Sequence, residues 1–182
     1  MEFRKVINPD SHEFKDIYKI YSSSFPPDER RSFKKEASLL NNRLYQLFAI
    51  FDKKQLIGFL AIWDISNFIF IENFAIKENL RNEGFGTDAL EEFVAKNSKK
   101  IVLEIEKPET SDAAKRRIRF YERLGFKLNR YDYLQPPYDK GKNAVPMFLM
   151  SHPNEIEKSE FPRIREQLHK IVYGLEKSII RN

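Results

Sequence analysis

Apolar residues recur along the chain with two alternating periods. Within residues 12–24, apolar side chains lie three or four positions apart, the spacing of one helix face, at Phe14, Ile17, Tyr18 and Tyr21. Residues 67–76 are instead almost continuously apolar and rich in isoleucine and phenylalanine, which favours a strand covered on both faces. Because both patterns occur in turn, the chain is predicted to belong to the α/β class.

The same patterns place the remaining elements. Strands are predicted at residues 3–7, 44–51, 56–65, 67–76, 101–105, 127–134 and 146–151. Helices are predicted at residues 12–24 and 32–40, after a loop at residues 80–87, and at residues 112–124. Asp10 or Ser11 can cap the first helix and Asp112 the last, while Lys53 and Lys54 lie in a tight hairpin turn. This order predicts a mixed, mostly antiparallel sheet with helices on both faces.

The tail is predicted to be an addition to the main domain. A chain of 182 residues is most simply one domain, which we expect at residues 1–151, followed by a C-terminal extension at residues 152–182. The extension is predicted to form an amphipathic helix with one buried stripe, at Phe161, Ile164, Leu168, Ile171, Val172 and Leu175. This helix can cover its own domain or a partner, so a homodimer stays open.

The composition of the chain excludes several kinds of functional site. The sequence contains no cysteine, which excludes disulfides, thiolate metal sites and a cysteine nucleophile. No spacing typical of metal ligands occurs, so no metal is expected. The N-terminus has no apolar signal core, and no apolar run approaches the roughly 20 residues that span a bilayer. We therefore expect a cytoplasmic protein without a membrane partner.

The formal net charge of +5 admits two interpretations. Its densest basic cluster lies on a predicted helix and comprises Lys115, Arg116, Arg117 and Arg119. The cluster is either a solvated helix face or a phosphate site. No aromatic platform or recognition motif accompanies it, so a nucleic-acid partner is not expected.

A glycine-bearing loop separates the predicted strand at residues 67–76 from the next helix. Helix N-termini leave N–H groups unsatisfied and carry partial positive charge, and glycines let an anion approach the backbone closely. No Gly-Lys-Ser/Thr follows, and the third glycine of a Rossmann fingerprint is missing, so neither of those nucleotide sites is indicated. The loop is therefore either a plain turn or a pyrophosphate site formed by Arg81, Asn82, Glu83, Gly84, Phe85, Gly86 and Thr87.

A second motif lies about 40 residues after the start of this loop. It is Tyr121-x-x-Leu124-Gly125-Phe126, at the end of a predicted helix and the start of a strand. Gly125 can supply the left-handed stop of the helix. The motif resembles the Tyr-Glu-x-x-Gly-Phe helix end of the GNAT family of N-acetyltransferases.

The glycine loop resembles the same family. Its pattern Arg81-x-x-Gly84-x-Gly86 is similar to the family's Gln/Arg-x-x-Gly-x-Gly/Ala loop. Residues 71–76 resemble the central strand that splays from its neighbour to admit the pantetheine arm. The resemblance covers residues 3–151 and implies the acyl-CoA N-acyltransferase fold of small bacterial-type members, with acetyl-CoA as co-substrate.

The resemblance also assigns binding residues. It implies that the loop at residues 81–87 and the strand residues Phe74, Ala75 and Ile76 bind the co-substrate. Many family members carry Asn seven residues before the helix-end tyrosine and Ala four residues before it, where this chain has Ala114 and Arg117. An asparagine contact is therefore missing or replaced, and Arg117 is a candidate for reaching a phosphate instead.

Two side chains are candidate catalytic groups. The Tyr121 hydroxyl, with a reference pKa of about 10, suits protonation of a departing thiolate, although an aromatic packed at a helix end is the alternative. Glu72 is a carboxylate in an otherwise apolar strand, where desolvation would make it a stronger base for the acceptor amine. Its alternative role is an ion pair that anchors the strand. Glu104 and Glu106 share a strand face and are reserve candidates for holding a cationic amine.

The sequence thus predicts an enzyme that transfers an acetyl group from acetyl-CoA to a primary amine on a small molecule or peptide. Without cysteine to form an acyl-enzyme, direct attack in a ternary complex is expected. The alternative is a CoA-binding regulatory or interaction protein that has kept the fold and lost catalysis. The identity of the acceptor amine stays open. Residues 21–31 commonly border the acceptor site in this fold, and here they mix aromatic side chains with both charge signs.

Overall fold

Four antiparallel strands form the sheet of the first part of the chain. The computed structural model describes residues 1–176, and the chain divides into two compact units, Met1–Lys99 and Lys100–Asn182. In the first unit the strands neighbour one another in chain order, as β1 (Glu2–Val6), β2 (Tyr45–Asp52), β3 (Gln55–Ile65) and β4 (Phe68–Ile76). Strands β3 and β4 are buried along most of their length, and for β4 the apolar run predicted this burial.

Helices pack on this sheet. In α1 (His12–Ser24), Ser11 Oγ accepts a 3.2 Å hydrogen bond from the Phe14 N–H, so the helix and its cap are as predicted. The second helix, α2 (Phe33–Leu39), is short. The third, α3 (Phe85–Ala95), begins within the segment predicted as a loop, because its first turn starts directly after Gly84.

Two local conformations fix the β2–β3–β4 meander. Lys53 and Lys54 have φ values of 44° and 71°, the left-handed pair that a two-residue hairpin turn requires. At Gly58, a Cβ would lie 2.4 Å from the Ala75 carbonyl oxygen. Glycine at this position therefore allows β3 to approach the end of β4 closely.

Three strands form the sheet of the second unit. They are β5 (Lys100–Glu106), β6 (Lys127–Gln135) and β7 (Val145–His152), with β7 in the middle and both pairings antiparallel. Between β5 and β6 lies α4 (Asp112–Arg123), whose cap is Ser111, since Ser111 Oγ accepts a 3.0 Å hydrogen bond from the Ala114 N–H. The prediction of Asp112 as the cap was wrong, because Asp112 is already helical. Gly125, with φ 84°, follows the helix in the left-handed conformation expected of a stop.

The described part of the C-terminal segment packs on the strands of the second unit. Helix α5 (Phe161–Gln167) continues into a π-helical turn at Leu168–Val172. Tyr131 of β6 stacks on Phe161 with ring centroids 4.6 Å apart, and most of the predicted stripe is buried, at Phe161, Ile164, Leu168 and Val172. The part of the predicted extension from residue 177 onward lies outside the described residues, and the domain boundary at residue 151 stays a prediction.

Within residues 1–176, no helix combines the length and the apolar character needed to cross a membrane.

Candidate active site

The loop between β4 and α3 has the backbone of an anion-binding site. Asn82 and Gly84 both adopt the left-handed conformation, with φ values of 68° and 90°. Such residues can turn neighbouring N–H groups toward a shared concave side. Gly84 caps α3 without a side-chain hydrogen bond, and a Cβ built on it would meet no atom within 4 Å. Open space therefore lies beside the unsatisfied N–H groups of the helix, and this arrangement fits a pyrophosphate.

The side chain of Arg81 braces this loop. Its Nε donates a 3.1 Å hydrogen bond to the Ile76 carbonyl oxygen at the end of β4. Its Nη2 donates a 2.9 Å hydrogen bond to Ser24 Oγ at the end of α1. The first residue of the loop thus ties the predicted co-substrate segment to β4 and to the helix that precedes residues 25–31.

A β-bulge lies in the middle of β4. Across the β3–β4 pair, Ala61 is opposite Asn73 and Ile62 is opposite Ile71, so Glu72 is the extra residue. Bulges redirect side chains and interrupt regular pairing. The bulge therefore sets the direction of the carboxylate that was predicted as a base.

Glu72 is held from two sides within the first unit. Trp63 Nε1 donates a 2.8 Å hydrogen bond to Glu72 Oε2, and Arg31 Nη1 lies 2.5 Å from Glu72 Oε1. The Arg31 side chain is 6% exposed and the Glu72 side chain 0%. In this arrangement an acceptor amine has no access to the carboxylate. The pairing favours the anchoring role, while the role of Glu72 as a base stays a prediction.

Two residues of this buried cluster, Arg31 and Glu36, were missed in the sequence. Arg31 Nη1 also lies 3.9 Å from Glu36 Oε2, and the Tyr45 hydroxyl donates to Glu36 Oε1. Burial raises the pKa of Glu36 to about 7; Glu72 adds to the shift, and Arg31 and Tyr45 oppose it. No local pattern indicates this cluster, because its members come from different elements that meet only in the fold.

Tyr121, in the second unit, is half-buried near the end of α4. Its ring makes edge contacts with Phe120 and Phe126, at centroid distances of 5.2 and 5.5 Å. The Tyr121 hydroxyl makes no hydrogen bond to any side chain or backbone group in the described part of the chain. Burial raises its pKa to about 12, against the opposing charge of Arg117. At neutral pH the hydroxyl therefore keeps its proton and can donate it.

The remaining candidates on β5 and α4 are engaged within the second unit. Arg117 forms an ion pair with Glu106, so its predicted contact with a phosphate stays a prediction. The Glu104 carboxylate accepts hydrogen bonds from neutral donors, namely the Tyr133 hydroxyl, Gln135 Nε2 at 2.5 Å and the Tyr173 hydroxyl at 2.7 Å. Through Tyr173, Glu104 ties β5 to the C-terminal segment. The described residues contain no cluster of three or more side chains arranged to hold a metal ion.

Comparison with known sequences decides the family. The sequence profile of the acetyltransferase (GNAT) family matches residues 14–126 of the chain. The chain belongs to the GNAT family of acetyltransferases. A solved structure assigned to this family, from Bacteroides thetaiotaomicron, is 37% identical over 97% of this chain and 100% of its own, with a TM-score of 0.91. A search of curated protein sequences finds no match.

More distant structures share the fold of this GNAT protein. The ribosomal-protein-S18-alanine N-acetyltransferase of Escherichia coli is 19% identical, with a TM-score of 0.59 over 86% of this chain and 95% of its own. An aminoglycoside 6'-N-acetyltransferase complexed with coenzyme A is 16% identical, with a TM-score of 0.58 over 87% of this chain and 100% of its own. The predicted family, its mixed and mostly antiparallel α/β fold and its acyltransferase class are confirmed.

Proposed function

We propose that this GNAT protein acetylates a primary amine, with acetyl-CoA as co-substrate, by direct attack of the amine on the thioester. The observation that carries the proposal is the β4–α3 loop, with its two left-handed residues and open space at the start of α3. A member of an acetyltransferase family with such a loop has the backbone needed to bind a pyrophosphate. The sequence has no cysteine to accept the acetyl group, which supports direct transfer.

Backbone groups do most of the binding in this proposal. The N–H groups of residues 81–87 hold the pyrophosphate, and Arg81 keeps their loop attached to β4. The strand segment Phe74–Ile76 lies just past the bulge and supplies backbone groups for the pantetheine arm and for the carbonyl oxygen that gains charge during attack. Alignment of this kind can lower a barrier by roughly 7–11 kcal/mol.

Two side chains handle protons. The amine nitrogen bonds to the carbonyl carbon, the carbon–sulfur bond breaks, and the Tyr121 hydroxyl protonates the sulfur. The absence of a protein partner for that hydroxyl among residues 1–176 supports this role. The acceptor ammonium first loses one proton to Glu72, directly or through a water, which makes the nitrogen a nucleophile. The second proton, lost by the nitrogen as the amide forms, goes to the Tyr121 oxygen and restores its hydroxyl. Because Arg31 contacts the Glu72 carboxylate, the transfer to Glu72 requires Arg31 to move.

The acceptor class follows from the family and from these roles. Two relatives in fold act on amines, one on an aminoglycoside and one on the alanine of ribosomal protein S18. For this chain we propose an amine of a small molecule or peptide that is cationic in water. A buried cluster with more carboxylates than guanidinium groups supports a cationic acceptor.

The deciding experiment is a thiol-release assay with acetyl-CoA against a library of primary amines, with mass spectrometry of each product. We expect release that depends on one class of amine and a product that gains one acetyl group. Tyr121→Phe serves as the catalytic control and Gly84→Ala as the binding control. Tight CoA binding with no release for any amine or peptide would instead support the CoA-binding regulatory protein.

A further inference from the structure

We propose that Arg31 is an exchangeable counter-ion: a cationic amine acceptor binds by taking the place of Arg31 on Glu72, and Arg31 then pairs with Glu36. The inference rests on the proposed function, and it adds the acceptor's charge and a specificity-determining residue to it. Arg31 and Glu36 would act on the reaction through Glu72.

The charges of the cluster do not balance when both carboxylates are ionised. Within residues 1–176, the cation that contacts Glu36 and Glu72 is Arg31, so two negative charges share one positive charge. Leaving a buried carboxylate without a counter-charge is costly. Either a proton or a second cation must complete the cluster. The raised pKa of Glu36, about 7, identifies that carboxyl as the one that takes the proton when no second cation is present.

The distances favour an exchange. Arg31 Nη1 is 2.5 Å from Glu72 Oε1 and 3.9 Å from Glu36 Oε2, so both carboxylates lie within ion-pair distance of the same guanidinium. Glu72 Oε1 and Glu36 Oε2 are buried, and neither accepts a well-oriented hydrogen bond from the described residues. Both oxygens that face the guanidinium are therefore held by charge alone.

Three hydrogen bonds near Glu72 and Arg31 do not involve the Arg31 guanidinium. The Arg31 N–H donates a 2.7 Å hydrogen bond to the Tyr21 hydroxyl, and the Tyr18 hydroxyl donates to the Arg31 carbonyl oxygen at 3.3 Å. Trp63 keeps its 2.8 Å hydrogen bond to Glu72 Oε2. The backbone of Arg31 and the orientation of Glu72 are therefore held by bonds that do not depend on the position of the Arg31 side chain.

The proton balance of the exchange is explicit. Before binding, Glu36 is protonated and Arg31 neutralises Glu72. After binding, the acceptor ammonium neutralises Glu72, Arg31 neutralises Glu36, and the proton of Glu36 has gone to solvent. Binding therefore releases up to one proton at a pH below about 7, and it leaves Glu72 beside the nitrogen from which a proton must be removed. The groups that face Glu36 are Tyr21 of α1, Arg31, Tyr45 of β2 and Glu72 of β4.

The first test follows the side-chain carboxyl signals of Glu36 and Glu72 by NMR in isotope-labelled wild-type protein, with n-butylammonium as the probe. Without the probe we expect Glu36 to titrate near pH 7. With saturating probe its titration should move by at least about one unit to lower pH, a tenfold change in proton affinity. n-Butanol, which matches the probe in size but has no charge, should leave the titration unchanged. An unchanged titration with n-butylammonium, or an equal shift with n-butanol, overturns the proposal.

The second test uses Glu36→Gln in steady-state acetylation of n-butylamine. Without a second carboxylate for Arg31, we expect KM for the amine to rise roughly tenfold or more, the usual effect of losing a charged partner, with a much smaller change in kcat. Glu92→Gln is the control, because Glu92 pairs with the N-terminal amine and Lys96 and does not contact the cluster. Equal KM values for the two variants contradict the exchange. If wild type acetylates amines but the titration of Glu36 does not respond to the probe, this inference alone is wrong. If wild type acetylates no amine, the proposed function is wrong.

Discussion

Trp63 and Glu72 are joined by a 2.8 Å hydrogen bond from the indole Nε1–H to the carboxylate Oε2. The bond crosses from β3 to the bulge of β4, where Glu72 has no opposite residue in the register. With the indole on one oxygen and Arg31 on the other, the carboxylate is fixed at two points. Any role for Glu72 in moving a proton therefore depends on Arg31.

The co-substrate loop is tested by Gly84→Ala. A Cβ at Gly84 projects into the open space beside the start of α3, where we expect the pyrophosphate, so CoA affinity should fall at least about tenfold. Forcing alanine into the left-handed conformation also costs about 1–2 kcal/mol of stability. Isothermal calorimetry with CoA measures the affinity.

Gly141→Ala is the matched control for this variant. Gly141 has φ 87° and, like Gly84, no atom within 4 Å of a built Cβ. It should therefore lose similar stability while keeping CoA affinity. Equal CoA affinities in the two folded variants would show that the loop at residues 81–87 is not part of the CoA-binding site.

The role of Tyr121 as the general acid is tested by Tyr121→Phe, which keeps the ring and deletes the hydroxyl. We expect turnover to fall by roughly 10²–10⁴, the usual contribution of general acid–base catalysis, with CoA affinity nearly constant. Tyr131→Phe is the control, because its hydroxyl donates a 2.9 Å hydrogen bond to the Ile156 carbonyl oxygen and has a structural role. An unchanged single-turnover rate in Tyr121→Phe would show that Tyr121 is not the acid and only packs at the end of α4.

Glu72→Gln separates the base from the anchor. If Glu72 takes the proton, the variant should lose activity near neutral pH and regain part of it at higher pH, where the amine is already neutral. If Glu72 only anchors Arg31, the variant should lose up to about 3–5 kcal/mol of stability and keep the wild-type pH–rate profile. The melting temperature and the pH dependence of turnover, measured together, distinguish these outcomes.

Glu36 should make the stability of the protein depend on pH. Burial raises its pKa from 4.5 to about 7, so the folded state binds this proton more tightly than the unfolded state does. The resulting stabilisation is fully present below pH 4.5 and is lost as the pH rises through about 7. We expect the melting temperature of wild type to fall from about pH 5 to about pH 8 more than that of Glu36→Gln.

Glu92→Gln is again the control for the pH experiment. Its hydrogen bond with Lys96 lowers the pKa of Glu92, so its titration lies below the pH range of the comparison. The variant should follow wild type through that range. A melting temperature that changes with pH by the same amount in wild type and in Glu36→Gln would show that Glu36 is ionised throughout this range, and it would also contradict the exchange of Arg31.

Local signals in the sequence were sufficient for most of the fold. The helix at His12–Ser24, the hairpin turn at Lys53 and Lys54, and the stop at Gly125 follow from apolar periodicity and from the backbone preferences of a few residues. Those preferences act over a few neighbours, so they can be read along the chain. The cap of α4 was misassigned by one residue because serine and aspartate are adjacent and both can accept the capping hydrogen bond.

The sequence by itself determined the glycine loop, the helix-end motif and, through them, the family. Only the tertiary structure decided the surroundings of Glu72. Trp63 reaches it through the register of the β3–β4 pair, and Arg31, which is distant in the chain, reaches it through the packing of the segment between α1 and α2. The sequence showed a lone carboxylate in an apolar strand. The fold surrounded it with a guanidinium, an indole and a second carboxylate, since a buried charge is stable only where other elements supply its partners.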